Sequence, residues 1–115
     1  MRTILFRARC INNGQWVYGY YSCDSGKYHF IKSIDDYLDY RIDPYTLGQY
    51  TGLIDKDGNK IFEGDIIQFY KTSAYVIFRR GEFCAIDNNN TGYFIIQSDV
   101  RIIGNIHDNE ELLDK

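Results

Sequence analysis

The sequence predicts an all-β protein with one or two short helical turns: an N-terminal three-stranded meander followed by a small SH3-like β-barrel. Strand-like runs alternate with turn signals at short intervals, which is typical of meanders and barrels rather than of βαβ units. Aromatic residues make up 17% of the chain, with 11 tyrosines and one proline, and this composition suits pleated, half-buried surfaces. The length of 115 residues is that of a single domain.

The first third of the chain predicts three antiparallel strands. Polar and apolar residues alternate in the first of them, as expected of a strand with one buried face. Asn13-Gly14 favours a type I′ turn, so the second strand should return antiparallel to the first. A second turn at Asp24-Ser25-Gly26 precedes the third strand. The predicted strands are Thr3 to Arg9, Trp16 to Ser22 and Lys27 to Lys32.

The connection after the meander predicts one or two helical turns. Ser33 stands where a helix cap would, and Ile34, Tyr37 and Leu38 follow at helical spacing. An irregular, tyrosine-rich connection is the alternative. Pro44 ends the segment because it disfavours helical angles at the residue before it. The connection separates two possible subdomains, 1–42 and 43–115, within a single domain spanning 1–115.

The second half predicts enough strands to close a small SH3-like barrel, which would remove exposed sheet edges. Turns are expected at Asp57-Gly58 and Arg80-Gly81, a bulge or close approach at Gly64, and a final helical turn capped by Asn109. The predicted segments are Tyr45 to Ile54, Lys60 to Phe62, Ile66 to Tyr70, Ala74 to Arg79, Glu82 to Ile86, Tyr93 to Gln97, Arg101 to Ile106 and the helical turn Asn109 to Leu113.

Charge and cysteine content limit the function classes. A net charge of -3 and a pI near 5.2 disfavour nucleic acid as a partner, although they are compatible with a local basic patch on one face. Arginine interrupts the opening too early for a signal peptide, and no apolar run is long enough to span a bilayer, so we expect a cytoplasmic protein with no membrane partner. The three cysteines are odd in number and widely spaced, which disfavours a disulfide framework and a Cys-x-x-Cys metal or redox site. They are Cys10, Cys23 and Cys84.

Two groups of carboxylates are candidates for chemistry. Asp55, Asp57 and Asn59 resemble part of a calcium loop, but glycine does not stand at the sixth position or glutamate at the twelfth, which favours a turn. Glu63 and Asp65 would share one face of an extended strand, as an acid-base pair could. Hydrogen bonding of these carboxylates to turn amides is the favoured alternative.

No motif assigns a catalytic residue, a cofactor or a metal. His29 and His107 have no partner at ligand spacing. The sequence contains no glycine-rich phosphate loop, nucleophile elbow or zincin helix. We therefore predict a non-enzymatic protein without a cofactor.

Several segments together resemble the YopX family of phage and prophage proteins. Gln49-Tyr50-Thr51-Gly52-Leu53 is followed by a lysine, aspartate and glycine turn and by Glu63-Gly64-Asp65-Ile66, and the end reads Ile103-Gly104-Asn105-Ile106. The opening also matches in spacing, while Arg9-Cys10 departs from the family pattern. The resemblance implies a β-rich fold with an SH3-type barrel, a mobile-element origin and no established activity. The motif residues with an implied structural role are Gln49, Tyr50, Thr51, Gly52, Asp57, Gly58, Glu63, Gly64, Asp65, Gly104 and Asn105.

The density of tyrosines is the one feature that suggests binding. So many rings cannot all be buried in a small protein, and an exposed patch of them would mark a contact surface. Cross-strand ring pairs that only stabilise the sheet are an equally good explanation. The candidate interaction residues are Tyr18, Tyr20, Tyr28 and Tyr50.

Two functions of different class follow. The first is a non-enzymatic module that binds a protein partner or forms a homo-oligomer. The alternative is a small β-barrel that binds nucleic acid by stacking bases on tyrosines and placing cations on phosphates. The candidate phosphate-binding residues are Arg7, Arg9, Lys71, Arg79 and Arg80.

Overall fold

The computed structural model describes residues 4–95 and 99–113, and they form two antiparallel sheets with short 3₁₀ helices. The predicted all-β class is confirmed. Thr3 and Gln97, at the ends of two predicted strands, lie outside the described residues. The strands are β1 (Phe6–Arg9), β2 (Trp16–Asp24), β3 (Tyr28–Ser33), β4 (Asp39–Arg41), β5 (Gly48–Ile54), β6 (Lys60–Phe62), β7 (Asp65–Phe69), β8 (Thr72–Arg79), β9 (Glu82–Asp87), β10 (Gly92–Tyr93) and β11 (Arg101–Asn105).

The chain divides into two compact units, Met1–Tyr50 and Thr51–Lys115, and the division falls inside β5. In the first unit the hydrogen-bonded strand order is β4-β3-β2-β1-β5, and β6 follows on the part of β5 that belongs to the second unit. The predicted meander is therefore present as β1, β2 and β3. The predicted subdomains, 1–42 and 43–115, divide the chain earlier, before Pro44.

The sheet of the first unit curls so that the end of β4 meets the end of β1. An isolated antiparallel bridge joins Cys10 to Ile42, and the amide of Asp43 donates to the carbonyl of Arg9 at 2.9 Å. The curl encloses an apolar core in which Ala8, Ile31 and Ile42 are almost completely buried. One face of this sheet thus points inward, and the alternate side chains point outward.

The turn between β1 and β2 reverses the chain as predicted but is not type I′. A type I′ turn needs left-handed angles at both central residues, and here Gly14 (φ 71°) has them while Asn13 does not. Asn13 instead accepts a hydrogen bond from the Gln15 amide at 2.9 Å, and the Gly14 amide donates to the Cys10 carbonyl. The local side-chain bond favours a four-residue loop.

No helix forms after Ser33, although the Tyr37 amide donates to the Ser33 carbonyl at 3.0 Å and so closes a single helical turn within an irregular connection. Ser33 does accept a hydrogen bond from an amide, that of Asp35 at 3.0 Å, but Tyr37 has a left-handed φ of 61° and the turn ends there. Asp39–Arg41 then pairs with β3 as β4. Pairing with a neighbouring strand replaced the local helical preference, because sheet contacts outweigh the stability of so short a helix.

The segment from Tyr45 was predicted as strand, but it begins with a 3₁₀ helix at Pro44–Thr46, and β5 starts only at Gly48. The Asp43 carboxylate accepts from the Tyr45 amide at 3.0 Å and caps this helix. Aspartate followed by proline is a helix-start signal, because proline is tolerated at the first helical position. Pro44 thus begins a helix here as well as ending the preceding segment.

In the second unit the five-stranded sheet has the order β10-β9-β8-β7-β11. Its core contains Ile61, Ile67, Val76 and Val100, all nearly inaccessible to solvent. Among residues 51–95 and 99–113 the sheet does not close into a barrel, and one of its edge strands, Gly92–Tyr93, has only two residues. The predicted barrel closure is therefore not observed there.

The last described element is a 3₁₀ helix at Glu110–Leu113, where a final helical turn was predicted. Asn109 occupies the preceding position, but its side chain accepts a hydrogen bond from the amide of Asn105 at 3.2 Å. It therefore ties the helix back to β11. Within the described residues, no helix has the length and apolar character needed to cross a membrane.

Candidate interaction face

Strand alternation places aromatic and cationic side chains together on the outward face of the first sheet. Opposite residues on neighbouring strands share a face, and the register pairs Arg9 with Trp16, Tyr20 with Lys32, and Arg41 with Phe30. Ala8 and Ile31, the neighbours of these residues along their strands, point into the core. We call this outward surface the arginine–tyrosine face and define it by Arg9, Trp16, Tyr20, Tyr28, Lys32 and Arg41.

Trp16 forms one aromatic centre of the face, and two guanidinium groups lie over its ring. The central carbon of Arg7 is 4.9 Å from the ring centroid and that of Arg9 is 5.2 Å away. Both distances are typical of cation–π contacts, and tryptophan gives the strongest of these. Arg7 is buried, so Arg9 is the cation that reaches the surface of the face.

Tyr28 forms a second aromatic centre. The guanidinium of Arg41 lies 4.7 Å from the Tyr28 ring centroid, and the ammonium of Lys27 lies 5.4 Å from it. Arg41 and Lys27 are both exposed. The face therefore repeats one arrangement twice, an aromatic ring that holds two cations.

The structure places the four predicted tyrosines on one side of the sheet but at different depths. Tyr20 is 57% exposed and Tyr28 is 36% exposed, whereas Tyr50 is only 8% exposed. Tyr18 is half-buried. Tyr20 and Tyr28 can thus meet a partner, and Tyr50 is not part of the accessible surface.

The face carries more positive than negative charge, although the whole chain has a net charge of -3. Its acidic residues are Asp24, Asp39 and Asp43. Asp24 is opposite Tyr28, and the Asp39 carboxylate lies 3.3 Å from the Lys32 ammonium in an exposed ion pair. Asp43 is opposite Arg9, and its carboxylate accepts from the Tyr45 amide at 3.0 Å. Arg9, Arg41 and Lys27 stand over aromatic rings instead. This is a local basic patch on an acidic protein.

The cations proposed for phosphate binding do not converge. Lys71 precedes β8 and Arg80 follows it, so they lie at opposite ends of an eight-residue strand, and Arg79 is the last residue of that strand. Arg7 is buried. Of that set, Arg9 alone belongs to the arginine–tyrosine face. Arg41 could not be chosen from the sequence, because its pairing with β3 falls in a segment that predicts a helix.

The calcium-like segment forms a turn, as predicted. One oxygen of Asp55 accepts from the amides of Asp57 at 3.0 Å and Asn59 at 2.8 Å, and the other accepts from Ile102 at 3.0 Å. Gly58 has the left-handed φ of 87° that glycine tolerates best. Burial would raise the pKa of Asp55, but these hydrogen bonds outweigh burial and lower it.

Glu63 and Asp65 are not two residues of one strand, because β6 ends at Phe62 and β7 begins at Asp65. Asp65 is 2% exposed, and its carboxylate accepts a hydrogen bond from the Phe62 amide at 2.7 Å. The alternative in which these carboxylates bond to turn amides therefore describes Asp65. Among residues 4–95 and 99–113, no three histidine, cysteine or acidic side chains are grouped as a metal site would require.

Residues of the family-like segments support turns and strand junctions. Thr51 donates its hydroxyl to the Ile61 carbonyl at 2.8 Å, which links β5 to β6. Asn105 accepts from the amides of His107 and Asp108, both at 2.9 Å. The β7–β11 register shifts between Ile102 and Gly104. These contacts lie within the strand pairs and turns of the second unit.

Comparison with known proteins supports the family resemblance of these segments. A family model described as YopX protein matches residues 5–114. The chain belongs to the YopX family. The crystal structure of protein EF1440 from Enterococcus faecalis is similar to this YopX chain, with a TM-score of 0.62 and 21% sequence identity over 98% of this chain and 99% of that chain. No curated protein matches it.

The predicted membership of the YopX family is confirmed, and the likeness to the crystal structure shows the fold. Most of the arginine–tyrosine face lies outside the segments on which the resemblance depends. Trp16 belongs to the matching opening, while Tyr20, Tyr28 and Arg41 fall between it and Gln49. The function of the face therefore has to follow from its own chemistry.

Proposed function

We propose that this YopX protein is a non-enzymatic protein-interaction module of phage or prophage origin, and that the arginine–tyrosine face is its contact surface. The observation that carries the proposal is the pair of aromatic centres on one outward face, each with two cations over its ring. Tyrosine, tryptophan and arginine are the side chains that dominate binding energy at protein interfaces. As part of the same proposal, we infer that the second unit is related to SH3-like folds.

Exposure supports this use of the face. Tyr20 is 57% exposed, although a ring on a stabilising sheet surface gains free energy by being covered. Tyr45 is 90% exposed but lies in the 3₁₀ helix Pro44–Thr46 and not on a strand of the face. Tyr20 is thus an accessible ring beside cations, and Tyr45 is an accessible ring that can serve as a control.

The test compares three forms of the protein. The face variant carries Tyr20→Ser and Arg41→Ser, and the control variant carries Tyr45→Ser and Arg79→Ser. Each is examined by sedimentation velocity over a range of concentrations and by affinity capture from a lysate of the host bacterium. Circular dichroism and thermal melting confirm that all three are folded.

We expect wild type and control to share one association, with a second copy or with a protein partner, and the face variant to lose it. Equal association by all three forms would place the contact elsewhere and would overturn the proposal. A strict monomer that retains no protein would overturn it as well.

A further inference from the structure

We infer that Cys23 is a modification site, where its thiol exchanges with a low-molecular-weight disulfide to form a mixed disulfide while Tyr21 and His29 take up the thiol proton. The inference goes beyond the proposed function. The site lies on the side of β2 and β3 opposite to the arginine–tyrosine face, so its failure would leave that proposal unaffected. It is carried by a chain of three polar side chains, a thiol, a phenol and an imidazole.

Strand register brings these three side chains together. Cys23 on β2 stands directly opposite His29 on β3, and Tyr21 stands opposite Ile31. Residues that are directly opposite have Cβ atoms about 4.5–5.5 Å apart, and residues two positions away along a strand point to the same side. Ile31 is part of the core, so the thiol, the phenol and the imidazole lie on the core side of these strands. Tyr21 and His29 are half-buried there, whereas Cys23, near the end of β2, is exposed.

Two hydrogen bonds connect the three polar atoms. The Tyr21 hydroxyl lies 2.7 Å from Nδ1 of His29, and the same hydroxyl is hydrogen-bonded to the Cys23 sulfur. A phenol can accept one hydrogen bond and donate another, and a neutral imidazole accepts at the nitrogen that carries no proton. The thiol can therefore donate to the phenol while the phenol donates to the imidazole.

This chain gives the thiol proton an acceptor within the protein. The thiolate is the form of cysteine that attacks a disulfide, and a cysteine at pH 7 is only a few per cent thiolate. In the proposed step the Cys23 proton moves to Oη of Tyr21 while the Tyr21 proton moves to Nδ1 of His29. The product is a thiolate that accepts a hydrogen bond from the phenol, next to an imidazolium.

The incoming disulfide supplies the oxidising equivalents for the exchange. The Cys23 thiolate attacks one sulfur of that molecule, a new S–S bond to Cys23 forms and the original S–S bond breaks. The departing thiolate takes the proton that His29 accepted and leaves as a thiol. The disulfide is thus the only co-reactant, and attack by a low-molecular-weight thiol on the mixed disulfide reverses the reaction.

The neighbouring elements place their charged groups elsewhere. On the core side of the sheet, β1 contributes apolar residues, and β4 contributes Tyr40, whose hydroxyl donates to the Asp36 carboxylate. At the turn after β2, Asp24 stands opposite Tyr28 and the Lys27 ammonium lies 5.4 Å from the Tyr28 ring centroid, on the other side of the strands. The phenol and the imidazole of the chain therefore set the pH dependence of the step.

The experiment incubates the full-length protein with glutathione disulfide, quenches the reaction with acid and follows each cysteine by mass spectrometry of peptides. Tyr21→Phe removes the bridging hydroxyl, and His29→Gln keeps a hydrogen-bond acceptor but removes the base. Tyr20→Phe, on the other side of β2, is the matched control. A second control, Cys23→Ser with Ser22→Cys, moves the thiol by one residue to that other side, where Ser22 is also exposed. Circular dichroism checks that each variant is folded.

At pH 7 we expect Cys23 to react about tenfold faster than the displaced thiol, and we expect Tyr21→Phe and His29→Gln to lose most of this advantage. Tyr20→Phe should react like the wild type. The wild-type rate should level off above the pH at which the imidazole loses its proton. The rate of His29→Gln should instead keep rising about tenfold per pH unit, because only solvent then takes the thiol proton.

Equal rates at Cys23 in the wild type, Tyr21→Phe and His29→Gln would overturn the inference, and so would a wild-type rate with the same pH slope as His29→Gln. Preferential modification of Cys84, which is half-buried and stands opposite the apolar Ile77, would overturn it as well. If Tyr21→Phe does not fold, the comparison of the wild type with His29→Gln and with the displaced thiol decides.

Discussion

The carboxylate of Asp55 accepts a hydrogen bond from the backbone amide of Ile102, which is 3.0 Å away and 47 residues later in the chain. The turn that contains Asp55 is joined to the same segment by two further contacts. The Lys56 amide donates to the Val100 carbonyl at 3.0 Å, and Arg101 forms an ion pair with Asp57 at 2.8 Å. One buried carboxylate thus organises its own turn and attaches it to β11.

Asp55→Asn should lower the free energy of unfolding by about 1.5–3 kcal/mol, because the variant loses a buried charge that accepts hydrogen bonds from three amides. Urea unfolding at pH 7 measures the change. The matched control is Asp57→Asn in the same turn, whose carboxylate is in an exposed ion pair worth at most about 1 kcal/mol. Equal losses of unfolding free energy in the two variants would show that the buried position of Asp55 does not contribute to stability.

The contribution of Asp55 should disappear in acid. Burial raises the pKa of Asp55 in the folded protein, but the hydrogen bonds outweigh burial and lower it. The carboxylate therefore stabilises the fold above the pKa of Asp55 in the unfolded chain, about 3.9. This contribution is lost as the pH falls through the lower pKa of Asp55 in the folded protein. The difference in unfolding free energy between wild type and Asp55→Asn should therefore narrow as the pH falls below about 4. Urea midpoints over this range measure it, and a constant difference would contradict the assignment.

The turns could be predicted from the sequence because their causes are local. Lys60 to Phe62 was predicted with the observed bounds, since a strong turn precedes it and Gly64 follows it. At Arg80-Gly81 both residues have positive φ, 53° and 82°, which is the combination that closes a two-residue hairpin. Turn residues act on their own backbone, so a single sequence contains the information.

The candidate site could be predicted only in part. Tyr20 and Tyr28 could be chosen because alternation in β2 and β3 is a local pattern. Arg41 could not, because its place depends on the pairing of β4 with β3 and on the bridge from Ile42 to Cys10. Pairing between distant segments is decided by tertiary packing, which outweighed the helical spacing that follows Ser33.

Gly104→Ala should destabilise the protein by about 1–3 kcal/mol, because a Cβ at this position would lie 2.6 Å from Oδ1 of Asn109 and 2.9 Å from its Cβ. Thermal or urea unfolding measures the loss. Gly92→Ala is the control, since its added Cβ would meet a side-chain atom of Ile86 at an ordinary 3.6 Å.

Asn109→Gly tests the cause of that loss, because it removes all three atoms that the new Cβ would meet. The double variant Gly104→Ala with Asn109→Gly should lose less stability than the sum of the single variants. Additive losses would mean that something other than Asn109 resists the added methyl group.

Tyr21→Phe should lower the free energy of unfolding by about 0.5–1.5 kcal/mol, since the Tyr21 hydroxyl lies 2.7 Å from Nδ1 of His29 and the two rings stack with centroids 5.9 Å apart. Burial, and next the hydrogen bond to Cys23, raise the pKa of Tyr21 above its ordinary value of 10.0, and the hydroxyl is neutral at pH 7 with or without this shift. Tyr20→Phe, one residue earlier on the outward face, should change stability by less than about 0.5 kcal/mol. Urea midpoints compare the two, and the imidazole NMR signals of His29 should move in Tyr21→Phe alone. If Tyr20→Phe were as costly, the outward tyrosine would be a structural residue of the sheet, and its assignment to a contact surface would lose its basis.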